Sequence, residues 1–348
     1  MRREIWQLLD SSGPGGIESH VLTLATCIRD RGYVPRIVLL QDHGPHPLRT
    51  EATEAGVQVL TLPAPRDILM RLRSDRPVLL HTHGYKAGIV GRLAARATGT
   101  PVVSTHHNGD MGQGLLRLYT VLDRITGPLG EQIAVSEKIA TRLMGRVHTI
   151  ENFVRLPVNT ENDIGSNVVA FAGRLSPEKG PDLFCALAER LPSFDFHVFG
   201  DGPMRNDLER RYAGLVRFHG MVSDLAARWS SIGLLCMTSR VEGLPMVALE
   251  AMAWRVPVAA FSVGGLGGLI SDGHSGWLAP PENLTGLHDR IVCHFSQSPE
   301  QRTAMSRSAR RTIEARYSPE TQLEKTLRVY QTALDRPSMS IRRSLMPR

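Results

Sequence analysis

Residues 239–252 read S-R-V-E-G-L-P-M-V-A-L-E-A-M and place two glutamates, Glu242 and Glu250, eight positions apart. The apolar run at 232–237 predicts a buried strand, and the residues from Pro245 onward predict an apolar helix, since proline suits the first helical turn. Glu242 is therefore expected on a loop at the carboxyl end of a strand, with Glu250 about one turn into the helix. Ligands of open α/β sheets bind at that edge.

The chemistry of this junction suits a molecule that carries both phosphate and sugar hydroxyls. The free N–H groups of a first helical turn and the positive end of the helix dipole attract phosphate. A carboxylate accepts two hydrogen bonds from a diol, so it suits a ribose or a hexose. Two surface glutamates beside an ordinary strand–helix junction would show the same spacing. Evidence from other parts of the chain is therefore needed to distinguish a ligand site from two solvated side chains.

The composition is that of a soluble globular protein, because 42% of the 348 residues are apolar, and the length suits two domains. No apolar run reaches the roughly 20 residues of a membrane span, and the interrupted apolar stretch at the N-terminus predicts a first strand, so a cytoplasmic protein is expected. The net charge of +7 favours an anionic partner such as a nucleotide, a phosphorylated acceptor or an anionic membrane. Nucleic acid is not expected, since no basic patch is interleaved with aromatic residues.

Short apolar runs alternate with amphipathic helical stretches, and this pattern occurs twice. It predicts an α/β fold of two Rossmann-like domains, each with a doubly wound parallel sheet. Strands are predicted at 5–9, 36–40, 58–62, 78–81, 101–104, 132–135 and 148–150, and then at 167–172, 194–199, 216–219, 232–237, 257–261 and 276–278. Helices are predicted at 17–30, 86–98, 115–126, 181–191, 204–212, 245–254, 300–316 and 319–334. The predicted division is 1–155, a linker at 155–166, a second domain at 166–316, a terminal helix at 317–335 and a basic tail at 336–348.

Glycine-rich loops follow several of the predicted strands and let backbone amides approach an anion closely. In one of them, Arg174 and Lys179 lie five positions apart and suit a departing diphosphate when no metal is bound. Plain tight turns, and for the basic loop a solvated turn, are the alternatives. The loops are G-P-G-G at 13–16, G-R-L-S-P-E-K-G at 173–180, G-D-G-P at 200–203 and G-G-L-G-G at 264–268.

Neither the histidines nor the cysteines form a metal-binding pattern, so no metal is expected. Two histidine pairs end strands of the first half, but no third ligand or H-E-x-x-H pattern accompanies them. They suit a hydrogen-bonding or proton-handling wall of an acceptor site, or else are core histidines with satisfied nitrogens. The pairs are His81 with His83 and His106 with His107. The four cysteines are scattered in apolar segments and are expected to be buried thiols, at Cys27, Cys185, Cys236 and Cys293.

Taken together, these segments resemble glycosyltransferase family 4, whose members are retaining enzymes of the GT-B fold. The resemblance covers roughly residues 5–335, and its most specific part is the E-x7-E element with G-R-L-S-P-E-K-G upstream. Further matching segments are G-G-I-E-S-H-V at 15–21, H-T-H-G-Y-K-A-G at 81–88, P-V-V-S-T-H-H-N at 101–108, A-V-S-E at 134–137, I-E-N-F-V at 150–154, F-H-G-M-V at 218–222 and P-V-A-A-F-S-V-G-G-L at 257–266.

The resemblance implies a role for each residue of the donor site. Arg174 and Lys179 would hold the donor diphosphate, Glu242 would contact the hydroxyls of the transferred sugar, and Glu250 would contact the ribose. The family commonly has an acidic residue near the position of Gly268, so one polar contact is missing here. Backbone contacts to the donor are implied for Gly15, Gly16, Gly243 and Leu244.

The resemblance also implies how the two domains divide the reaction. They would face each other across a cleft, with the C-terminal helix returning to the N-terminal domain. The acceptor would bind the N-terminal domain, where His107 matches the histidine near the reacting carbon. His106 is the neighbouring candidate, and His83 lines the same acceptor cleft. Acceptor loops are expected at 10–16, 42–50, 63–67 and 106–118.

The function that follows is transfer of a hexose-type sugar, with retention, from a nucleotide-diphosphate sugar of the UDP type to a glycan or lipid-linked acceptor in cell-surface polysaccharide or glycolipid synthesis. No D-x-D motif is present, so neither a metal nor another cofactor is expected. The alternatives are another GT-B enzyme, namely a sugar-nucleotide epimerase or a phosphorylase with a Schiff-base lysine, and a non-catalytic sugar-binding scaffold.

Two segments predict peripheral association with the inner face of a membrane. The tail at 336–348 places Arg336, Arg342, Arg343 and Arg348 beside four apolar residues. Basic residues near an anionic surface contribute about 1 kcal/mol each, and apolar ones dip into the interface. The stretch at 115–126 is the second candidate, and a disordered solubilising tail is the alternative to the first.

Overall fold

The computed structural model describes residues 4–13, 15–107, 114–158, 160, 165–222 and 224–336, without the side chains of residues 115 and 116. The chain forms two compact units. The N-terminal unit comprises Met1–Glu151 and Pro319–Arg348, and the C-terminal unit comprises Asn152–Ser318. Residue 14 and residues 108–113 of the predicted acceptor loops, and all of the predicted basic tail except Arg336, lie outside the described residues.

The N-terminal unit is built on a sheet of seven parallel strands in the order β3-β2-β1-β4-β5-β6-β7. The strands are β1 (Glu4–Leu9), β2 (Val34–Leu39), β3 (Gln58–Thr61), β4 (Leu79–His83), β5 (Val102–His106), β6 (Glu131–Ala134) and β7 (Val147–Thr149). The helices that follow them are α1 (Gly16–Asp30), α2 (Pro47–Glu54), α3 (Asp67–Asp75), α4 (Tyr85–Thr98), α5 (Leu115–Thr126) and α6 (Glu137–Ala140).

The C-terminal unit is built on a sheet of six parallel strands in the order β10-β9-β8-β11-β12-β13. The strands are β8 (Val168–Ala172), β9 (Asp195–Phe199), β10 (Val216–Gly220), β11 (Leu234–Met237), β12 (Val258–Phe261) and β13 (Gly276–Ala279). The helices are α7 (Pro181–Arg190), α8 (Arg205–Arg211), α9 (Met246–Ala253), α10 (Leu266–Leu269), α11 (Leu284–Phe295) and α12 (Pro299–Arg316).

Burial explains why the central segments are continuously apolar instead of alternating. In the C-terminal unit, apolar side chains of helices pack against both faces of the sheet, so every residue of β11 and β12 is buried. Parallel strands that are covered on both faces have this composition. Helix α9 is also almost wholly buried, which accounts for its apolar sequence M-V-A-L-E-A-M-A.

The last helix, α13 (Pro319–Asp335), belongs to the N-terminal unit, where it contacts α1, β4, β5 and β6. Its residue Tyr330 is fully buried, and the Tyr330 hydroxyl lies 2.7 Å from His81 Nδ1 and 3.3 Å from Gln7 Nε2. An ion pair between Arg31 and Glu324 joins the same helix to the end of α1. The chain therefore leaves this unit after Glu151 and returns to it at Pro319.

The predicted fold class is confirmed, and the structure corrects the sequence predictions in detail. Pro245 is the residue before α9 and not its first helical residue, since the helix begins at Met246. Helices α2, α3, α6, α10 and α11 were not predicted. Helix α2 begins inside the predicted acceptor loop at 42–50, and α10 begins inside the predicted glycine-rich loop at 264–268. The prediction of four buried thiols is wrong for Cys293, which is exposed on α11, whereas the other three are buried.

In the described part of the chain, no helix has both the length and the apolar composition that crossing a membrane requires.

Candidate functional site

The two sequence segments that carry the donor-site predictions leave neighbouring strands of the C-terminal sheet. Strand β8 continues toward β9 on one side, and β11 continues toward β12 on the other, so the strand order reverses between β8 and β11. The loop at 173–180 follows β8, and the loop at 238–245 follows β11. Ligands of doubly wound sheets bind outside the carboxyl ends of the strands at such a reversal.

Lys179 and Glu242 contact each other directly at this edge. The Lys179 ammonium lies 2.7 and 2.8 Å from the two carboxylate oxygens of Glu242, and the Ser239 hydroxyl donates to Oε1 at 2.7 Å. The Glu242 side chain is only 4% exposed, against 33% for Lys179. A carboxylate this deeply buried needs a paired charge and hydrogen bonds, and Lys179 and Ser239 provide them.

A further basic residue, Arg240 of the 238–245 loop, was not predicted and joins the two loops through hydrogen bonds. Its guanidinium donates to both carboxylate oxygens of Asp182, at 3.0 and 2.7 Å, and to the carbonyl of Pro177 at 2.7 Å. Its own N–H donates to the carbonyl of Glu178 at 2.9 Å. Burial would raise the pKa of the Asp182 carboxyl, but the Arg240 guanidinium holds this pKa below its ordinary value. Arg240 thus supports the position of Lys179 from the neighbouring loop.

The glycine-rich loops of the C-terminal unit make close backbone contacts with the two loops of the site. Gly264 has φ +56°, and a Cβ there would lie 2.1 Å from the carbonyl oxygen of Glu242. The next residue, Gly265, donates its N–H to the carbonyl of Gly243 at 2.6 Å. In the G-D-G-P loop, a Cβ on Gly200 would lie 1.9 Å from the carbonyl oxygen of Gly173. These close backbone approaches explain why glycines flank both donor-site loops.

The remaining predicted donor residues of the C-terminal unit lie in different environments. Arg174 is exposed at the start of the β8 loop. Glu250 is half-buried on α9, one turn beyond its first residue. Leu244 is buried, and its carbonyl accepts from the side chain of Asn152 at 2.8 Å. This Asn152 contact, like Arg240, was not predicted, because its partner lies 92 positions away.

In the N-terminal unit, the turn after β1 leads directly into α1. Gly15 is the residue before the helix and has an extended backbone, and both Gly15 and Gly16 are exposed. A Cβ on Gly15 would lie 2.9 Å from a carboxylate oxygen of Glu18 in the first helical turn. Burial raises the pKa of that Glu18 carboxyl. An exposed N-terminus of a 15-residue helix, with small residues before it, suits an approaching phosphate.

His81, His83 and His107 form a buried imidazole wall together with His20, a histidine that the sequence did not place there. His83 Nδ1 lies 3.2 Å from His107 Nε2, and the ring of His20 lies 4.9 Å from that of His107 and 5.8 Å from that of His83. Burial lowers the pKa of His20 to about 4. The pKa values of His81, His83 and His107 lie well below the ordinary value. Burial is the main cause, and the charges of neighbouring histidines lower them further. All four rings are therefore neutral at pH 7.

The hydrogen bonds of Gln7 set the tautomers in this wall. Gln7 Nε2 donates to the Tyr330 hydroxyl, so Gln7 Oε1 accepts from His83 Nε2 at 2.8 Å. His83 Nδ1 then carries a lone pair and accepts from His107 Nε2. This arrangement leaves the lone pair of His107 on Nδ1, where the ring can accept a hydrogen bond from a substrate hydroxyl.

Three of these histidines have a geometry that a metal ion could use. One ring nitrogen from each of His20, His83 and His107 lies within 4.8 Å of the others, and all three residues are buried. The sequence prediction of no metal was made without His20, whose distance along the chain hides it. That prediction stays a prediction.

His106 does not join the other predicted acceptor residues. Its Nδ1 lies 3.0 Å from Asp123 Oδ2, and the other carboxylate oxygen of Asp123 accepts from Arg92 at 2.5 Å. Burial would raise the pKa of the Asp123 carboxyl, but His106 and Arg92 together hold it below its ordinary value. Successive side chains of a strand point to opposite faces of the sheet, so His106 faces α5 whereas His107 lies with His20 and His83.

Comparisons with known proteins agree for both units. Residues 14–156 match the family model described as Glycosyltransferase Family 4, and residues 166–297 match the model described as Glycosyl transferases group 1. The phosphatidyl-myo-inositol mannosyltransferase of Mycolicibacterium smegmatis is 26% identical over 92% of this chain and 90% of that protein.

Two further proteins extend the comparison. An α-1,4-N-acetyl-D-galactosaminyltransferase of Campylobacter jejuni, named for a PP-undecaprenol-linked acceptor, is 28% identical over 55% of this chain and 58% of its own length. Among solved structures, HepE of Anabaena in complex with UDP and glucose superposes with a TM-score of 0.81 at 21% identity, over 94% of this chain and 99% of that one. At that identity the likeness to HepE shows the fold.

Proposed function

Because this chain belongs to glycosyltransferase family 4, we propose that it transfers a hexose-type sugar from a nucleotide-diphosphate donor to a glycan or lipid-linked acceptor, with retention at the anomeric carbon. The proposed donor is a UDP-sugar, supported by the UDP and glucose bound to HepE. The proposed acceptor class is supported by the names of the Mycolicibacterium and Campylobacter relatives. The proposed role is in cell-surface polysaccharide or glycolipid synthesis.

One observation carries the donor-site proposal, namely the Lys179–Glu242 pair at the strand-order reversal of the C-terminal sheet. An ammonium has three N–H donors, and two of them are directed to the Glu242 oxygens. The third donor remains for a phosphate oxygen, while Arg174 in the same loop supplies a second cation. Glu242 would then orient the sugar, and Glu250 on α9 would bind the ribose.

The proposed mechanism needs no metal. The diphosphate leaves from the face near the attacking hydroxyl, and its growing negative charge is met by Arg174, Lys179 and the N-terminus of α9. The transition state is oxocarbenium-like, as in other glycosyl chemistry. No side chain of the described site is proposed as a covalent nucleophile, so retention follows from attack on the face that the diphosphate leaves.

The proposed acceptor residue is His107, supported by its neutral ring. Burial holds its pKa well below the ordinary value, so the imidazole stays uncharged at neutral pH. The lone pair on Nδ1 would accept the hydrogen bond of the acceptor hydroxyl and take its proton as this oxygen attacks the anomeric carbon and the bond to the diphosphate breaks. His83 and Gln7 act through His107 by holding its tautomer.

A panel of UDP- and GDP-sugars tests this proposal by thermal shift and by slow donor hydrolysis. A UDP-hexose at 100 times its Kd should stabilise the protein by about 2.7 kcal/mol. It should also release UDP, whereas matched GDP-sugars should do neither. Release of an epimerised free sugar nucleotide would favour the epimerase alternative. Absence of any shift or hydrolysis across the panel would contradict the transferase site.

A further inference from the structure

Helix α5 is built with its polar side inward. Asp123 is buried and binds Arg92 and His106, and Arg92 also donates to the hydroxyl of Thr126 at 2.8 Å and of Ser104 at 2.9 Å. Arg92 itself is 0% exposed. Helices of globular proteins normally turn their apolar side to the core, so this arrangement calls for an explanation.

The apolar side of α5 faces outward. Leu118 is 53% exposed and Ile125 is 62% exposed, and neighbouring residues extend the same surface. We call this surface the α5 patch, and its members, which share one face of the helix at spacings of three and four positions, are Leu118, Val121, Leu122 and Ile125. Exposed apolar residues grouped in this way mark an interaction surface, whereas single ones do not.

Two arginines border the patch on one side. Arg117 and Arg124 are both exposed, and their spacing of seven positions along α5 places them on the same flank of the helix. The 12 residues of α5 give it a length of about 18 Å. A helix with an apolar face, basic residues at its border and a moderate length suits the interface of a membrane, where it lies parallel to the surface.

Charge decides between the two simplest occupants of the patch. A second copy of the chain would meet the patch through a two-fold axis, which brings the same surface from each copy together. The exposed charges of α5 are both positive, so this pairing would bring arginines toward arginines, at a cost in free energy. Anionic lipid headgroups would instead be attracted to Arg117 and Arg124.

We propose that α5 docks this protein on an anionic membrane surface, with the α5 patch dipping into the interface and Arg117 and Arg124 on the headgroups. The Arg92–Asp123 pair then has a definite role. It holds the polar side of α5 on the unit by buried charge-assisted hydrogen bonds, which leaves the apolar side free for lipid. The membrane docking is argued from the residues of α5. Its link to a lipid-linked acceptor rests on the proposed function.

Vesicle flotation of the full chain tests the docking surface. Vesicles of phosphatidylcholine are compared with vesicles that also contain phosphatidylglycerol, at low and high salt. The wild type should float with the anionic vesicles, and less so at high salt. The double variant Val121→Ser/Ile125→Ser should partition at least about tenfold more weakly. Arg124→Gln should weaken binding about fivefold and reduce its dependence on salt.

Matched variants separate this surface from general effects. Met70→Ser removes another strongly exposed apolar residue, on α3, and should float like the wild type. Unchanged melting temperatures of all variants show that the fold is intact. Arg342→Gln/Arg343→Gln tests the tail, and its flotation should stay near that of the wild type if α5 is the docking element.

Three outcomes would overturn the assignment. The first is equal flotation of the wild type and the Val121→Ser/Ile125→Ser variant. The second is loss of flotation in the tail variant alone. The third is a dimer, seen by sedimentation, that the α5 variant converts to a monomer without any vesicle binding by the wild type. Donor hydrolysis without vesicles is measured in parallel, and its absence would contradict the transferase proposal without touching the membrane result.

Discussion

At the scale of single residues, the contact between Lys179 and Glu242 changes how mutations of the donor site should be read. Each is the other's nearest charge, and Glu242 is the more deeply buried of the two. Removing either residue leaves the other without its counter-charge. Each single substitution therefore removes one proposed contact to the donor and also disturbs the second residue of the pair. Their mutational effects should therefore not be additive.

Glu242→Gln and Glu250→Gln should alter catalysis in different ways. Glu242 is proposed to contact the sugar that reacts, so the amide should lower kcat. Glu250 is proposed to contact the ribose, so its variant should mainly raise KM for the donor. Initial rates over a range of donor concentrations distinguish the two, and wild-type kinetics in both variants would show that the site assignment is wrong.

Arg174→Ala and Lys179→Ala should each reduce turnover on the order of 10²-fold, since each removes a cation from the departing diphosphate, worth about 2–4 kcal/mol by analogy with lost oxyanion donors. Lys179→Ala combined with Glu242→Gln should cost less than the sum of the two single changes. Activity should not change with a chelator or with added magnesium. Loss of activity with the chelator, restored by magnesium, would contradict the metal-free mechanism.

Residue types near the site were predictable where one short segment holds both the residue and its structural context. Glu242, Lys179 and His107 each follow a strand in a recognisable pattern. Arg240 and Asn152 were not predictable, since their roles depend on partners that only the folded sheet brings close. The separation of His106 from His107 follows from alternation along β5, and the sequence does not tell which of the two faces the acceptor side.

At the scale of elements, the segment at 264–268, which runs into α10, should tolerate a methyl group at one glycine and not at another. Gly264→Ala places a Cβ against the Glu242 carbonyl at a φ of +56°, so the loop and the Glu242 turn must shift. Strain of this kind costs about 1–3 kcal/mol. Gly268→Ala is the matched control, because nothing lies within 4 Å of its Cβ position. The melting temperature and the rate of donor hydrolysis should both decrease for Gly264→Ala and stay near the wild-type values for Gly268→Ala. Equal decreases in the two variants would contradict this explanation.

Strands were more predictable than helices for a physical reason. Central strands such as β11 and β12 are buried on both faces, so they stand out as apolar runs in the sequence. Helices α2 and α3 are short and largely polar, with only two buried residues each, so they resemble loops. The apolar residues of α5 have helical spacing, which predicts a helix but not which of its sides faces the core. In the structure the polar side of α5 faces the core.

At the scale of the whole molecule, stability should fall as the pH drops from about 6.5 to about 4. The pKa of His20 is depressed from 6.5 to about 4, and those of His81, His83 and His107 lie well below 6.5. The unfolded chain binds protons in this range while the folded chain does not, so the stabilisation present above pH 6.5 is lost as the pH falls. For each additional proton that the unfolded chain binds, the free energy of unfolding decreases by about 1.4 kcal/mol per pH unit of acidification.

Urea unfolding at a series of pH values measures this dependence. His20→Gln should lower the slope between pH 6.5 and 4.5 by close to one proton, since it removes one of the buried titrating rings. His274→Gln, at an exposed histidine, serves as the control and should leave the slope unchanged. An unchanged slope in His20→Gln would contradict the neutral, buried state of the cluster.

The two-unit architecture could be predicted from the repeated alternation of strands and helices, and both sheets have the expected parallel strands. The packing of α13 on the N-terminal unit does not follow from its sequence pattern. Its amphipathic spacing would suit either sheet, and the resemblance to the family was needed to expect its return. Contacts of Tyr330 with Gln7 and His81 are what fix it there.

The return of α13 also sets an order for folding during synthesis. The C-terminal unit is one continuous segment, Asn152–Ser318, inserted between the two parts of the N-terminal unit. All of its residues are therefore synthesised before the second part of the N-terminal unit, which begins at Pro319. The N-terminal unit emerges first but cannot finish first, because the hydroxyl that His81 binds arrives with Tyr330. The N-terminal unit therefore completes its core only after a segment that follows the whole C-terminal unit has been synthesised.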